Sequence, residues 1–111
     1  MERLFLNYGE AEKIKEKYPG RIPIFVTKAT RAADIPDLPK HKYLAPSNLS
    51  VGQFIFILRR QIKLPPDRAM FIFVNDTLPT SSTLLAELYA NHKDQDGALR
   101  MTYTSENTFG F

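Results

Sequence analysis

The chain has 111 residues, 43% apolar and 24% charged, with a formal net charge of +3. That length and balance predict one globular domain with a modest core of its own. The lack of cysteine excludes disulfides, thiolate metal sites and a thiol nucleophile, and no stretch approaches the ~20 apolar residues that span a bilayer.

The opening residues, MERLFLNYGEAEK, do not read as a secretory signal, because the apolar run is short and acidic residues follow at once. Residues 1–9 carry Leu4, Phe5, Leu6 and Tyr8 without a clear period. EAEKIKEKY (10–18) has helical spacing, with Ala11, Ile14 and Tyr18 on one face, and Pro19-Gly20 ends it. RIPIFVTK (21–28) is rich in β-formers, and Pro23 suits an edge strand or a strand start. A loop punctuated by Pro36 and Pro39 covers 29–40, and HKYLAP (41–46) forms a second short strand.

Ser50 is placed to cap the next helix. Gln53 sits at the capping-box spacing, and Leu49 and Phe54 occupy the staple positions. The helix VGQFIFILRRQI turns Phe54, Ile57, Leu58 and Ile62 to one side, and Pro65-Pro66 forbids its continuation. AMFIFV (69–74) is almost wholly apolar, which predicts a strand buried on both faces or central in a sheet. Asn75-Asp76 makes a turn. SSTLLAELYANHK (81–93) reads as a helix with Leu84, Leu85, Leu88 and Tyr89 inward. Asp96-Gly97 turns the chain into a last strand, ALRMTYT (98–104). A strand pair, a helix across it and two further strands is the order of a ubiquitin-like β-grasp, an α+β fold.

HKYLAPSNLSVGQF (41–54), LPPDRAMFIFVNDTLP (64–79) and HKDQDGALRMTYTSENTFG (92–110), with RIP at 21–23 and DIP at 34–36, go beyond pattern. Together they closely resemble the ubiquitin-like autophagy modifier family, which includes microtubule-associated protein light chain 3 and the GABA-receptor-associated proteins. The likeness runs from about Glu10 to Gly110. It implies a β-grasp domain over 10–104 with an additional N-terminal helix. It also implies an N-terminal segment (1–9) short for the family and a flexible conjugation tail (105–111).

The resemblance implies no enzyme, no catalytic residue, no cofactor and no metal. It implies a modifier trimmed by a cysteine protease after Gly110, with Phe111 removed. An E1-like enzyme would then activate the Gly110 carboxylate, and an E2-like enzyme would carry it as a thioester. The product would be an amide with phosphatidylethanolamine, which moves a cytoplasmic protein to the autophagosome membrane to recruit cargo receptors. Glycine suits that path, because it has no Cβ to obstruct narrow active sites. Two acyl chains then meet the threshold for stable anchoring.

Strand 41–46 also reads as an edge, to which an extended peptide can add. Members of the family bind motifs with an aromatic residue, two spacers and an aliphatic residue, flanked by acids. Carried over by position, the aromatic pocket involves Glu10, Ile14, Pro23, Phe25, Lys42 and Leu44. The aliphatic pocket involves Tyr43, Ala45, Pro46, Leu49, Phe54 and Ile57. Arg21, Lys40 and Lys42 would meet the acidic flank. Ile14, Phe25, Leu49, Phe54 and Ile57 also have core packing as their ordinary reading. Gln61 stands where many relatives carry arginine, Ala45 where a larger aliphatic residue is usual, and Ala98 where phenylalanine is frequent.

Other chemistry is weak. His41 and His92 lie far apart with no ligand cluster, and Asp94, Asp96 and Gly97 lack the spacing of a calcium loop. Arg59-Arg60 beside aromatics lacks any RNA-binding signature, so no nucleic acid is expected. The alternative to a conjugated modifier is an unconjugated β-grasp adaptor in trafficking or cytoskeletal binding.

Overall fold

The computed structural model describes residues 10–105 apart from Arg31 and Ala33, with Glu10 described in its backbone alone. Its elements are α1 (Glu10–Lys17), β1 (Arg21–Lys28), β2 (Lys42–Pro46), α2 (Val51–Gln61), β3 (Phe71–Phe73), α3 (Leu85–His92) and β4 (Leu99–Thr104). The sheet order is β2-β1-β4-β3. β1 runs antiparallel to β2 and parallel to β4, and β3 runs antiparallel to β4. This is the α+β architecture expected from the order of elements. Pro23 lies near the start of central β1, whose pairing with β4 begins only at Ile24, so its missing N–H costs no ladder bond there.

Alternation along β1 gives the sheet two covered faces. Ile22, Ile24 and Val26 enter the main core with Val51, Phe54 and Leu58 of α2, Leu85 and Leu88 of α3, and Leu99, Met101 and Tyr103 of β4. Phe25 faces the other way, into a small cluster with Ala11, Ile14 and Ala98 that seats α1. Gly97 makes that seat possible. It has φ +86, and a Cβ there would come within 2.9 Å of the Glu12 backbone nitrogen. Tyr18, expected on the apolar face of α1, is 43% exposed. The helix has ended at Lys17, and Tyr18 stands in the turn with the Lys17 ammonium 5.6 Å from its ring centre.

The start of α2 follows its sequence signal. Ser50 N–H donates to Gln53 Oε1 at 2.9 Å, and Gln53 N–H donates to Ser50 Oγ at 3.1 Å. The start of α3 does not. The expected helix from 81 begins only at Leu85, because the preceding residues pair with the entrance to α2. Val51 and Gly52 donate to the carbonyls of Thr83 and Ser81 at 2.8 and 2.9 Å, and Leu85 donates to that of Leu49 at 2.9 Å. Leu84, expected inward, is therefore 43% exposed.

β3 decides between two expectations. Its apolar run predicted a strand buried on both faces or in the sheet centre; it is buried on both faces, at Ile72 and Phe73, but forms three residues at the sheet edge. Asn75 and Asp76, at φ 50 and 62, fold Val74 back onto Thr77, so the chain beyond Phe73 leaves the sheet. Met70, Ile72, Phe73 and Val74 are nonetheless buried. The run reports burial, not a central position.

Tyr103, with no exposed surface, ties the β1–β2 loop to β4. Its hydroxyl donates to the Pro36 carbonyl at 2.8 Å and accepts from Leu38 N–H at 3.0 Å. Burial holds the phenol above its ordinary range, against the Leu38 N–H, which pulls it down. Tyr103→Phe leaves that N–H buried without its partner and should cost ~1–3 kcal/mol in urea unfolding. An unchanged midpoint would mean that the loop closes without the hydroxyl. An eight-residue helix such as α1 is unstable alone, so Phe25→Ala should strip amide-exchange protection from α1 and leave it in β4. Equal loss in both would show that α1 and the sheet unfold as one unit.

Candidate docking groove

β2 occupies one edge of the sheet. Its register pairs Ile24 with Tyr43 and Ile22 with Ala45, and Pro23 with Leu44 and Phe25 with Lys42. Val26 N–H donates to the His41 carbonyl at 2.8 Å and Ser47 N–H to that of Gly20 at 3.0 Å, which sets the phase of the ladder. Tyr43 and Ala45 therefore bond to β1, while Leu44 turns its N–H and C=O away from it. The outward Leu44 carbonyl accepts from Arg21 Nη1 at 3.1 Å. Pro46 closes the strand with a residue that has no N–H.

The same alternation divides the side chains. Leu44 and Lys42 share a face with Pro23 and Phe25, the face that carries α1 with Ile14. Phe25 is boxed there by the Arg100 guanidinium, 5.3 Å from its ring centre, and the His41 ring at 6.1 Å. Those two neighbours were not foreseen, being 75 and 16 residues away in the chain. Arg100 is anchored by Asp94 at 2.9 Å and by Asp96. The structure thus brings five of the expected aromatic-pocket residues to one face of the sheet. Glu10 opens α1, and its side chain lies outside the described residues.

On the other face, Tyr43, Ala45 and Phe54 are buried in the main core, with Tyr43 and Phe54 edge to face at 5.7 Å. Leu49 is half-buried and Pro46 exposed, and Ile57 is 39% exposed although helical spacing placed it with the inward residues. A slot of about 470 Å³ is lined by Ile57, Arg60 and Gln61. Ala45, noted for its small size, contributes to the core. Ala98 has no exposed surface and lies against Ala11, in the cluster that includes Phe25.

The three cations differ. Arg21 and Lys40 are exposed, while Lys42 is 8% exposed. Tyr43 fixes Lys40 from beneath. Its hydroxyl donates to the Lys40 carbonyl at 3.0 Å, and the Lys40 ammonium lies 5.2 Å from its ring centre. Burial, and then the nearby Tyr103, push the Tyr43 phenol up to about 12, so it remains a neutral donor near pH 7. Both histidines have backbone or side-chain partners, His41 Nδ1 at 2.9 Å from the Val26 carbonyl and His92 Nδ1 at 3.0 Å from Asn75 Nδ2. Gly110 and Phe111 lie outside the described residues.

With this geometry in place, comparison with known proteins is specific. Residues 7–110 match the family model described as autophagy protein Atg8, ubiquitin like. The chain is 52% identical to autophagy-related protein 8 of Candida glabrata over 103 residues, covering 93% of this chain and 86% of that protein. It is 54% identical to autophagy-related protein 8B of Oryza sativa subsp. indica over 102 residues, covering 92% and 85%. The crystal structure of Trypanosoma brucei ATG8 superposes with a TM-score of 0.79 at 42% identity, covering 91% of this chain and 86% of that one. The chain belongs to the Atg8 family of ubiquitin-like autophagy proteins.

Proposed function

We propose that the chain is a conjugated modifier of autophagy that becomes a membrane-anchored adaptor. The observation that carries this reading is that the family match takes in Gly110 and stops before Phe111. A cysteine protease hydrolyses the Gly110–Phe111 amide, consuming water and freeing Phe111. An E1-like enzyme joins the new carboxylate to the AMP of ATP with release of pyrophosphate, thiol attack displaces the AMP, and the amine of phosphatidylethanolamine takes the acyl group from the thioester of an E2-like enzyme, freeing its thiol. The domain supplies no catalytic group to these steps. It presents the glycine and carries the docking surface from the cytoplasm to the autophagosome membrane.

At that membrane β2 receives the partner. An extended peptide of a cargo receptor hydrogen-bonds to Leu44. Its aromatic side chain lies over Pro23, Phe25, Leu44 and the stem of Lys42 beside Ile14, and Glu10 belongs to the same pocket. Its aliphatic side chain lies against Pro46, Leu49 and Ile57, over Tyr43, Ala45 and Phe54. Its acids meet Arg21, Lys40 and Lys42. The alternation along β2 supports this division, because a strand added in register sends successive side chains to opposite faces.

Intact mass of the protein from its own cells, with soluble and membrane fractions measured separately, tests the conjugation. Loss of Phe111 with a phospholipid-sized gain in the membrane fraction is expected, and Gly110→Ala should abolish the gained mass. Full-length chain alone in both fractions, under starvation as well, would leave an unconjugated adaptor.

A further inference from the structure

The stretch from Val51 to Pro66 carries Arg59, Arg60 and Lys63 and no acidic residue, so its charge equals the +3 of the whole chain. All three cations stand where α2 ends. Phe56, one turn before Arg60, is 60% exposed, with the Arg60 guanidinium 5.8 Å from its ring centre. Arg59 Nη2 donates to the Pro65 carbonyl at 2.8 Å, which uses one of its five N–H donors. Lys63, at φ 53, takes the left-handed backbone that glycine ordinarily supplies beyond a helix end. That turn lets Leu64 N–H donate to the Arg59 carbonyl at 3.1 Å and brings the two prolines back beside the helix. Phe56, Leu64, Pro65 and Pro66 line a hollow of about 510 Å³ with the three cations.

Among the described residues no carboxylate pairs with Arg59, Arg60 or Lys63. Cations in a last turn suit the helix dipole, but the dipole gives no reason for a bare ring among them. The backbone of α2 is bonded within the helix, so an added strand finds no edge here. An exposed ring among basic side chains is the chemistry of a membrane interface, where the ring enters the headgroup layer and the cations meet anionic lipid. This end of the domain is also where the chain leaves the sheet. Thr104 pairs with Phe71, and the loop that carries Pro65-Pro66 leads into Phe71. On the conjugation reading above, Gly110 bears the lipid, and the six residues from Thr104 span at most ~22 Å by any path. We propose that Phe56, Arg59, Arg60 and Lys63 form a seat for an anionic lipid surface, which the domain rests on once it is anchored. The seat itself is a property of the folded domain, and only its anchor rests on the conjugation reading.

The chain has no tryptophan and no cysteine. Phe56→Trp therefore supplies one fluorophore, and Phe111→Cys supplies one thiol for coupling to maleimide-bearing phosphatidylethanolamine, which anchors the full chain without any enzyme. Leu84→Trp, 43% exposed just before α3, is the reference position. On vesicles of phosphatidylcholine and phosphatidylserine, the Phe56→Trp emission should move to shorter wavelength. Brominated acyl chains should quench it about threefold more than Leu84→Trp, and Arg60→Gln with Lys63→Gln, or high salt, should remove the difference. Phe56, Arg60 and Lys63 are exposed, so lost quenching with unchanged circular dichroism is lost contact and not lost fold.

Equal quenching at the two positions, or equal quenching on neutral and anionic vesicles, would overturn the seat. An emission unmoved by vesicles but shifted by a soluble acidic peptide would overturn it too and give the surface to a protein partner. Conjugation is read separately, by intact mass from cells. Seating on the vesicles without a phospholipid-sized gain in cells would uphold the seat and sink the conjugation reading, and a gain without seating would do the reverse.

Discussion

The parallel pairing of β1 with β4 is the constraint on which the rest depends. It joins the first strand to the last, with β2, α2, β3 and α3 between them in the chain. A parallel pair requires a long crossover, and here the crossover supplies most of the core. Ile24, Val26 and Leu99 have no exposed surface at this junction. With β1 bonded on both sides, β2 can pair only inward, and its other side becomes an edge. The open edge of β2 is a consequence of the central pair.

An open edge is a hazard as well as an opportunity. This one is guarded by local chemistry. Pro46 offers no donor, the Arg21 guanidinium covers the Leu44 carbonyl, and Lys40 stands at the strand entrance. The same groups suit an acidic peptide, because a guanidinium held by a carbonyl can exchange it for a carboxylate. Tyr43 and Phe54 show how fold and site are coupled. Both belong to the main core, so the floor beneath this face of β2 is packed as part of the domain interior. On the opposite face Phe25 and Ala98 meet Ala11 and Ile14 and so join α1 to the sheet.

What was legible in the sequence was local. The reciprocal Ser50–Gln53 cap, the Asn75-Asp76 and Asp96-Gly97 turns and the whole of β1 follow from short-range chemistry, and the structure has them where the residues place them. The misread start of α3 comes from competition by partners distant in the chain. Ser81 to Leu84 have helical character, but their backbone is taken by the entrance of α2. The apolar stretch through β3 is needed by the core even though its strand sits at the edge. Around the groove, residue types marked β2 as an edge with a basic margin. They carried no sign that Lys42 is buried or that Arg100 sits over Phe25. Nor did they show Ser105 meeting Asp34 across 71 positions of chain.

The most direct test of β2 as the docking strand is amide exchange at Leu44. An isotope-labelled chain would be titrated with a synthetic peptide bearing acidic residues before an aromatic-x-x-aliphatic motif. Docking on β2 requires the outward Leu44 N–H to gain protection as the peptide saturates, while the inward Tyr43 and Ala45 amides, already bonded to β1, change little. Saturable binding with no slowing at Leu44 would contradict it, because the peptide would then be held somewhere other than the open edge of β2.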